Sequence, residues 1–194
     1  MKTAIATLRG QSAYQQGRYH GDPKLNDGKE DNDAYEQRTW KSKAHVNKQG
    51  HIYIPGGAFK NCLSDGAKYL NVKIKGKGQA TYTKHFLAGV SVINDVDTGA
   101  RIEEAEKMSV FCDSQGKRGG KSGSRVMKYF PTIMAWEADV TFFILDDVVT
   151  EDIFHRVLSE SGMFIGIGVY RPQNGGHYGR FSVEKLVWKD GMVG

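Results

Sequence analysis

Between Gly166 and Gly179 the chain places five glycines in fourteen residues, Gly166-Ile-Gly168-Val-Tyr170-Arg171-Pro172-Gln-Asn-Gly175-Gly176-His177-Tyr178-Gly179. A stretch this poor in Cβ atoms cannot fill a core. Glycine reaches positive φ and admits another backbone at close range, so the segment is either a tightly folded turn system or a surface on which a backbone lies down. Tyr170, Arg171, His177, Tyr178 and Arg180 are interleaved with these glycines. Cations mixed with aromatic faces suit a phosphate chain carrying stackable bases, so Gly166, Gly168, Gly175, Gly176 and Gly179 read as points of backbone approach.

The rest of the chain sets the frame for that loop. A length of 194 residues suits one core, and 24 glycines against 4 prolines imply many turns and bent strands. A net charge of +5 favours a polyanionic partner. Cys62 and Cys112 stand far apart with no Cys-x-x-Cys or Cys/His set, and the start Met1-Lys2-Thr3-Ala4 is too polar for a secretion signal, so a reducing cytoplasmic setting is expected. No apolar run reaches membrane-spanning length. The six histidines are scattered without metal-ligand spacing, so neither a metal nor another cofactor is expected.

Coarse patterning gives an element order. Thr3 to Leu8 reads as a strand, and the polar stretch Gln11 to Trp40 as turns and a mobile loop. His51-Ile-Tyr-Ile54 is a short strand stopped by Pro55-Gly56-Gly57, after which Phe59, Cys62, Leu63, Ala67 and Leu70 recur at helical spacing. That turn would aim the free N–H groups of the helix at an anion, with Lys60 in the first turn. Ala135 to Ile144 alternates as a half-buried strand, and Thr150 is the expected N-cap of a helix running to Gly162. Met163 to Ile167 reads as a short strand and Phe181 to Trp188 as the last one. Two β-α units of this kind predict a single α+β domain over 1–194, with two helices on one face of a ferredoxin-like, RNA-recognition-like antiparallel sheet. A β-rich excursion is expected at about 73–134.

Two basic segments lie at the start of that excursion and within it. Lys68 to Lys84 holds five lysines and no acid, and reads as a solvated hairpin face or a partner surface. Gln115 to Lys128 carries Lys117, Arg118, Lys121, Arg125 and Lys128 among glycines, the pattern of an exposed loop or hairpin tip with an anionic partner. Nucleotide motifs fail on spacing. Arg171 stands where a dinucleotide fingerprint needs its third glycine, and Gln115 where a phosphate loop ending in Gly120-Lys121-Ser122 needs its first.

His51-Ile-Tyr-Ile54-Pro55-Gly56-Gly57-Ala58-Phe59-Lys60 resembles the strand, Pro-Gly-Ser-Ser, helix motif of the RAMP superfamily, the RNA-recognition-like proteins that form the backbone of CRISPR effector complexes. The loop closing on Gly179-Arg180-Phe181 is similar to that superfamily's glycine-rich signature between last helix and last strand. Gly57-Ala58 replaces the usual Ser-Ser. The resemblance implies a thumb-like excursion and a single-stranded nucleic-acid partner, RNA before DNA, with the protein assembling along the strand or within a larger effector-like complex. The segment also resembles phage- and prophage-encoded proteins, which implies an alternative role as an oligomerising or host-effector-binding mimic. A further alternative is metal-independent RNA cleavage, for which His177 is the candidate acid or base. Target-cleaving members use an aspartate in an early loop, and Asp22, Asp27, Asp31 and Asp33 are available. The interface expected from all this is Lys60, Lys117, Arg118, Lys121, Arg125, Lys128, Tyr170, Arg171, His177, Tyr178 and Arg180, with Gly56 and Gly57 at the helix start.

Overall fold

The computed structural model describes residues 1–113 and 125–191. Its main sheet is antiparallel throughout and runs β4 (Val90–Ser91), β8 (Glu137–Ile144), β1 (Lys2–Gly10), β9 (Phe181–Asp190). First and third strands in the centre, with the last strand beside the first, is the strand order of ferredoxin-like and RNA-recognition-like folds, so the α+β class expected from the pattern is the one observed. Alternation decides the faces. Ala4, Ala6 and Leu8 on β1 and Ala138, Val140, Phe142 and Ile144 on β8 are buried, while their neighbours point the other way.

Two helices cover that apolar face, α2 (Gly56–Leu70) and α4 (Glu151–Phe164). Phe59 of α2 meets Phe181 edge-on at 6.2 Å, and Phe154 of α4 meets Phe142 at 5.2 Å. These rings are at most 1% exposed, and each contributes about 1.5–3 kcal/mol by leaving water. Thr150 is the N-cap residue of α4, but its hydroxyl makes no cap bond; only its carbonyl engages the helix, accepting from Phe154 N at 2.9 Å. Residues 163–167 finish α4 and enter turns where a short strand was expected, because Ile165 N and Gly166 N both bond back to the Ser161 carbonyl.

Two helices lie outside the sequence pattern. α1 (Asn32–Thr39) sits inside the polar stretch read as loop; Asp31 caps it by accepting from Asp33 N and Ala34 N at 2.9 and 3.4 Å. It has almost no apolar stripe, so hydrophobic period could not reveal it. α3 (Thr83–Gly89) packs Phe86 against Phe154 with ring centroids 6.4 Å apart. The span 73–134 thus contains α3 and β4, both part of the main layer, along with β5 (Val96–Arg101), β6 (Glu106–Asp113) and β7 (Arg125–Ile133).

A second sheet runs β2 (Tyr14–Gln15), β7, β6, and β3 (His51–Ile54) pairs with β5 apart from both larger sheets. β6 and β7 form a long hairpin from Glu106↔Thr132 to Asp113↔Arg125. The free edge of β7 is covered by α1 and the turn after it. Glu36 accepts from Tyr129 N, Lys43 donates to the Tyr129 carbonyl, and Lys43 and Glu36 pair with each other. No helix among the described residues is long and apolar enough to cross a membrane.

Candidate nucleic-acid interface

The glycine loop folds back on the segment that leaves β1. Gln11 N bonds to the Arg180 carbonyl at 2.8 Å, Gly179 N to Ala13 O at 2.8 Å, and Val169 N to Gln15 O at 3.1 Å. Gly168 and Gly179 have φ of +80° and +71°, and a Cβ there would lie 2.3 Å from Gln15 O and 1.8 Å from Ile167 O. Gly166 is crowded by Pro172, and Gly176 by the Tyr170 carbonyl, while Gly175 closes a single 3-10 turn in left-handed geometry. The backbone that these glycines admit is the protein's own. Of the two readings of the segment, the folded turn system accounts for them.

Tyr170 joins this loop to the hairpin. It is a non-glycine residue at φ +53°, a conformation kept only where surroundings enforce it. Its ring meets Phe130 of β7 edge-on at 5.8 Å. Burial raises its phenol, and neighbouring Cys112 of β6 acts in the same direction. Gly17 lies beneath Val169, where a Cβ would come within 2.7 Å of the valine side chain. Loop, hairpin base and the exposed Arg18-Tyr19 step therefore meet in one region.

The expected cations divide. Arg125 is exposed on β7, its guanidinium 5.8 Å from the Phe111 ring centroid. Lys128 lies on the same strand, half-buried. Arg171 donates from Nε and Nη2 to Gln173 Oε1 at 3.0 and 2.8 Å. Arg180 turns partly inward, bonding the carbonyls of Met163 and His177 at 3.2 and 3.3 Å, so it clamps the loop as well as edging the surface. Lys117, Arg118 and Lys121 lie outside the described residues.

Lys60 and the Pro-Gly-Gly turn serve the fold instead. The Lys60 ammonium donates to Ser64 Oγ at 2.6 Å and to the carbonyls of Phe86 and Leu87 at 3.0 and 2.9 Å. Its three N–H groups are thereby used, which leaves none for a phosphate. The start of α2 is served by an internal carboxylate, since Gly56 N donates to Asp95 Oδ1 at 3.1 Å. Gly56 is packed against Asn94 O, whereas Gly57 faces open space.

His177 is exposed beside Tyr178, centroids 4.6 Å apart with the planes tilted by 39°; its ring makes no hydrogen bond among the described residues. Asp31 and Asp33 have structural partners, the α1 backbone and the Tyr129 hydroxyl. Among the described residues no group of three or more His, Cys, Asp or Glu side chains is placed to hold a metal.

The sheet face opposite the helices carries Ile5, Thr7 and Arg9 of β1 beside Thr141 and Asp139 of β8. Arg9 is held between Glu137 at 2.8 Å and Glu184 at 3.5 Å, the latter being the extra residue of a β9 bulge. Carboxylates thus neutralise Arg9, while Lys185 and Lys189 of β9, in register with Thr7 and Thr3, are exposed on the same face.

Cys112 and Phe130 as partners of Tyr170 were not foreseen, because only pairing across β6–β7 brings them there. Tyr69 and Phe164, both exposed at helix ends beside the loop, were also missed. Their signal was a large aromatic off the buried stripe.

No family model matches the chain, and no curated protein matches it. Among solved structures it is similar to the crystal structure of Cmr6 from Pyrococcus furiosus, with a TM-score of 0.51 and 16% identity over 94% of this chain and 99% of that one. The likeness is one of fold, end to end.

Proposed function

We propose that this protein binds single-stranded nucleic acid, RNA in preference to DNA, as a RAMP-type subunit that assembles along the strand within a larger effector-like complex. The observation that carries the reading is the junction at Tyr170, where a glycine loop bearing Arg171 and Arg180 is joined to a hairpin bearing Arg125 and Lys128, on a fold shared with Cmr6. Cations spaced along two adjoining elements, with aromatic rings between them, match a strand whose phosphates repeat and whose bases offer π-faces.

Binding is then dominated by phosphate contacts. Fluorescence anisotropy of labelled single-stranded RNA and DNA, titrated at rising salt, is expected to give log K falling linearly with log salt, by about 0.7 per phosphate contact. Binding to progressively longer strands should add protein copies stepwise in native mass spectrometry. Undetectable binding at low salt, or affinity indifferent to salt, overturns the reading.

A further inference from the structure

Exposed aromatic rings that lie side by side beside a groove mark a candidate contact site, and two do so where α2 and α4 end. Tyr69 is 64% and Phe164 51% exposed, with centroids 5.7 Å apart and planes tilted by 33°. They form one wall of a groove of about 520 Å³ whose floor is Ile165. The other wall carries Asp65, Lys68 and Gln173, and Arg171 adjoins it through Gln173 in a polar relay. Arg171 donates to Gln173 Oε1, Gln173 Nε2 donates to Asp65 Oδ2 at 3.1 Å, and Lys68 donates to Asp65 Oδ1 at 3.1 Å.

The relay is built and cationic. Burial acts to raise the Asp65 carboxyl, but hydrogen bonds from Gln173 and Lys68 outweigh it and hold the group below its ordinary range, so it stays ionised and fixes both neighbours. Two cations face one carboxylate. Arg171 Nη1 has no hydrogen-bond partner among the described residues, and the Lys68 ammonium spends one of its three N–H groups. Spare donors of fixed direction beside a π-surface are what a nucleotide requires: an anion to pair and a flat face to stack.

We propose that this groove holds one nucleotide of the bound strand, its base lying across Tyr69 and Phe164 and its phosphate on Arg171 and Lys68. The inference rests on the nucleic-acid reading and extends it to a specific stacking site. At 5.7 Å the rings are too close to admit a base between them, since two aromatic contacts need about 7 Å. The base therefore covers the pair from the open side of the groove.

The test uses the full chain and a single-stranded RNA with 2-aminopurine placed at successive positions. The wild type is expected to quench the probe at one position per protein copy. Tyr69→Ala/Phe164→Ala, whose rings are outside the core, should keep its melting temperature, lose that quench and bind about 5–150-fold more weakly at an unchanged salt slope. Lys68→Ala should lower the slope by about 0.7. A folded double variant that binds like the wild type overturns the groove assignment while the nucleic-acid reading stands. So does a double variant that alters only self-association, which would assign the rings to a protein contact. A wild type that binds no RNA or DNA overturns both.

Discussion

Replacing Lys60 by methionine separates a phosphate ligand from a structural clamp. The substitution keeps the aliphatic stem and deletes an ammonium that ties α2 to the end of α3 through Ser64 Oγ and the Phe86 and Leu87 carbonyls. Burial, with Lys68 adding repulsion, lowers the pKa of this lysine. A hydrogen bond to a charged group is worth about 1.5–3 kcal/mol, and three bonds from one nitrogen do not add in full. Leu87 is 41% exposed, so water can reach its carbonyl, whereas Phe86 is buried. A net loss of about 2–3 kcal/mol is expected. For a chain of this length that is a fall of about 5–10 °C in melting temperature, readable by differential scanning fluorimetry and by a lower urea midpoint. Salt-titrated anisotropy of the same variant should show an unchanged slope. A slope reduced by about 0.7 with an unmoved melting temperature would refute the reasoning and return Lys60 to the interface.

Gly179→Ala should destabilise by about 3–5 kcal/mol, since a Cβ at left-handed φ meets the Ile167 carbonyl, while Gly57→Ala, with open space around it, should be neutral or mildly stabilising in a chemical denaturation series. Arg125→Ala should lower the salt slope by about 0.7 with the melting temperature held, whereas Arg180→Ala should cost stability too, because its guanidinium bonds two carbonyls of the fold. Equal melting temperatures for the two arginine variants would contradict that division. Glu30 accepts from Arg38 and from Leu25 N, which holds its carboxyl at about 2 against an ordinary 4.5. The folded value lies below the unfolded one, so its support for the segment before α1 is complete above about pH 4.5 and is lost as pH falls toward 2. Carbon-13 titration of Glu30 with a midpoint at its ordinary value would exclude that pairing. RNA incubated with the protein should remain full length; cleavage abolished by His177→Ala would establish the ribonuclease reading instead.

Under the proposed function, the cationic loop and hairpin would engage a strand away from the sheet. The open sheet face holds Arg9 in a carboxylate pair and carries the exposed Lys185 and Lys189, while the proposed phosphate surface is the junction of the glycine loop with β6–β7. That division also gives the salt dependence a structural address, because variants at Arg125 and Arg171 should change the slope while those at Arg9 should not.

Local pattern alone determined much of this chain. Period-two burial in Glu137–Ile144, the helical stripe Phe59, Leu63 and Ala67, and the span of the last strand are short-range properties, and they suffice for the α+β class and the order of its main elements. The density of glycines marked residues 166–179 either as a folded turn system or as a surface for another backbone. Which backbone approaches was a tertiary matter, settled by Ala13 and Gln15 arriving from the far end of the chain. The same holds for the cations. A lysine in the first turn of a helix is equally consistent with a phosphate and with a neighbouring carbonyl, and the choice for Lys60 was made by α3, whose Phe86 is held in the core. Asp95 took the helix start for a similar reason, being delivered there between β4 and β5. α1 escaped notice because caps and a sheet edge stabilise it instead of an apolar stripe, and hydrogen bonds between distant segments leave no period in a sequence.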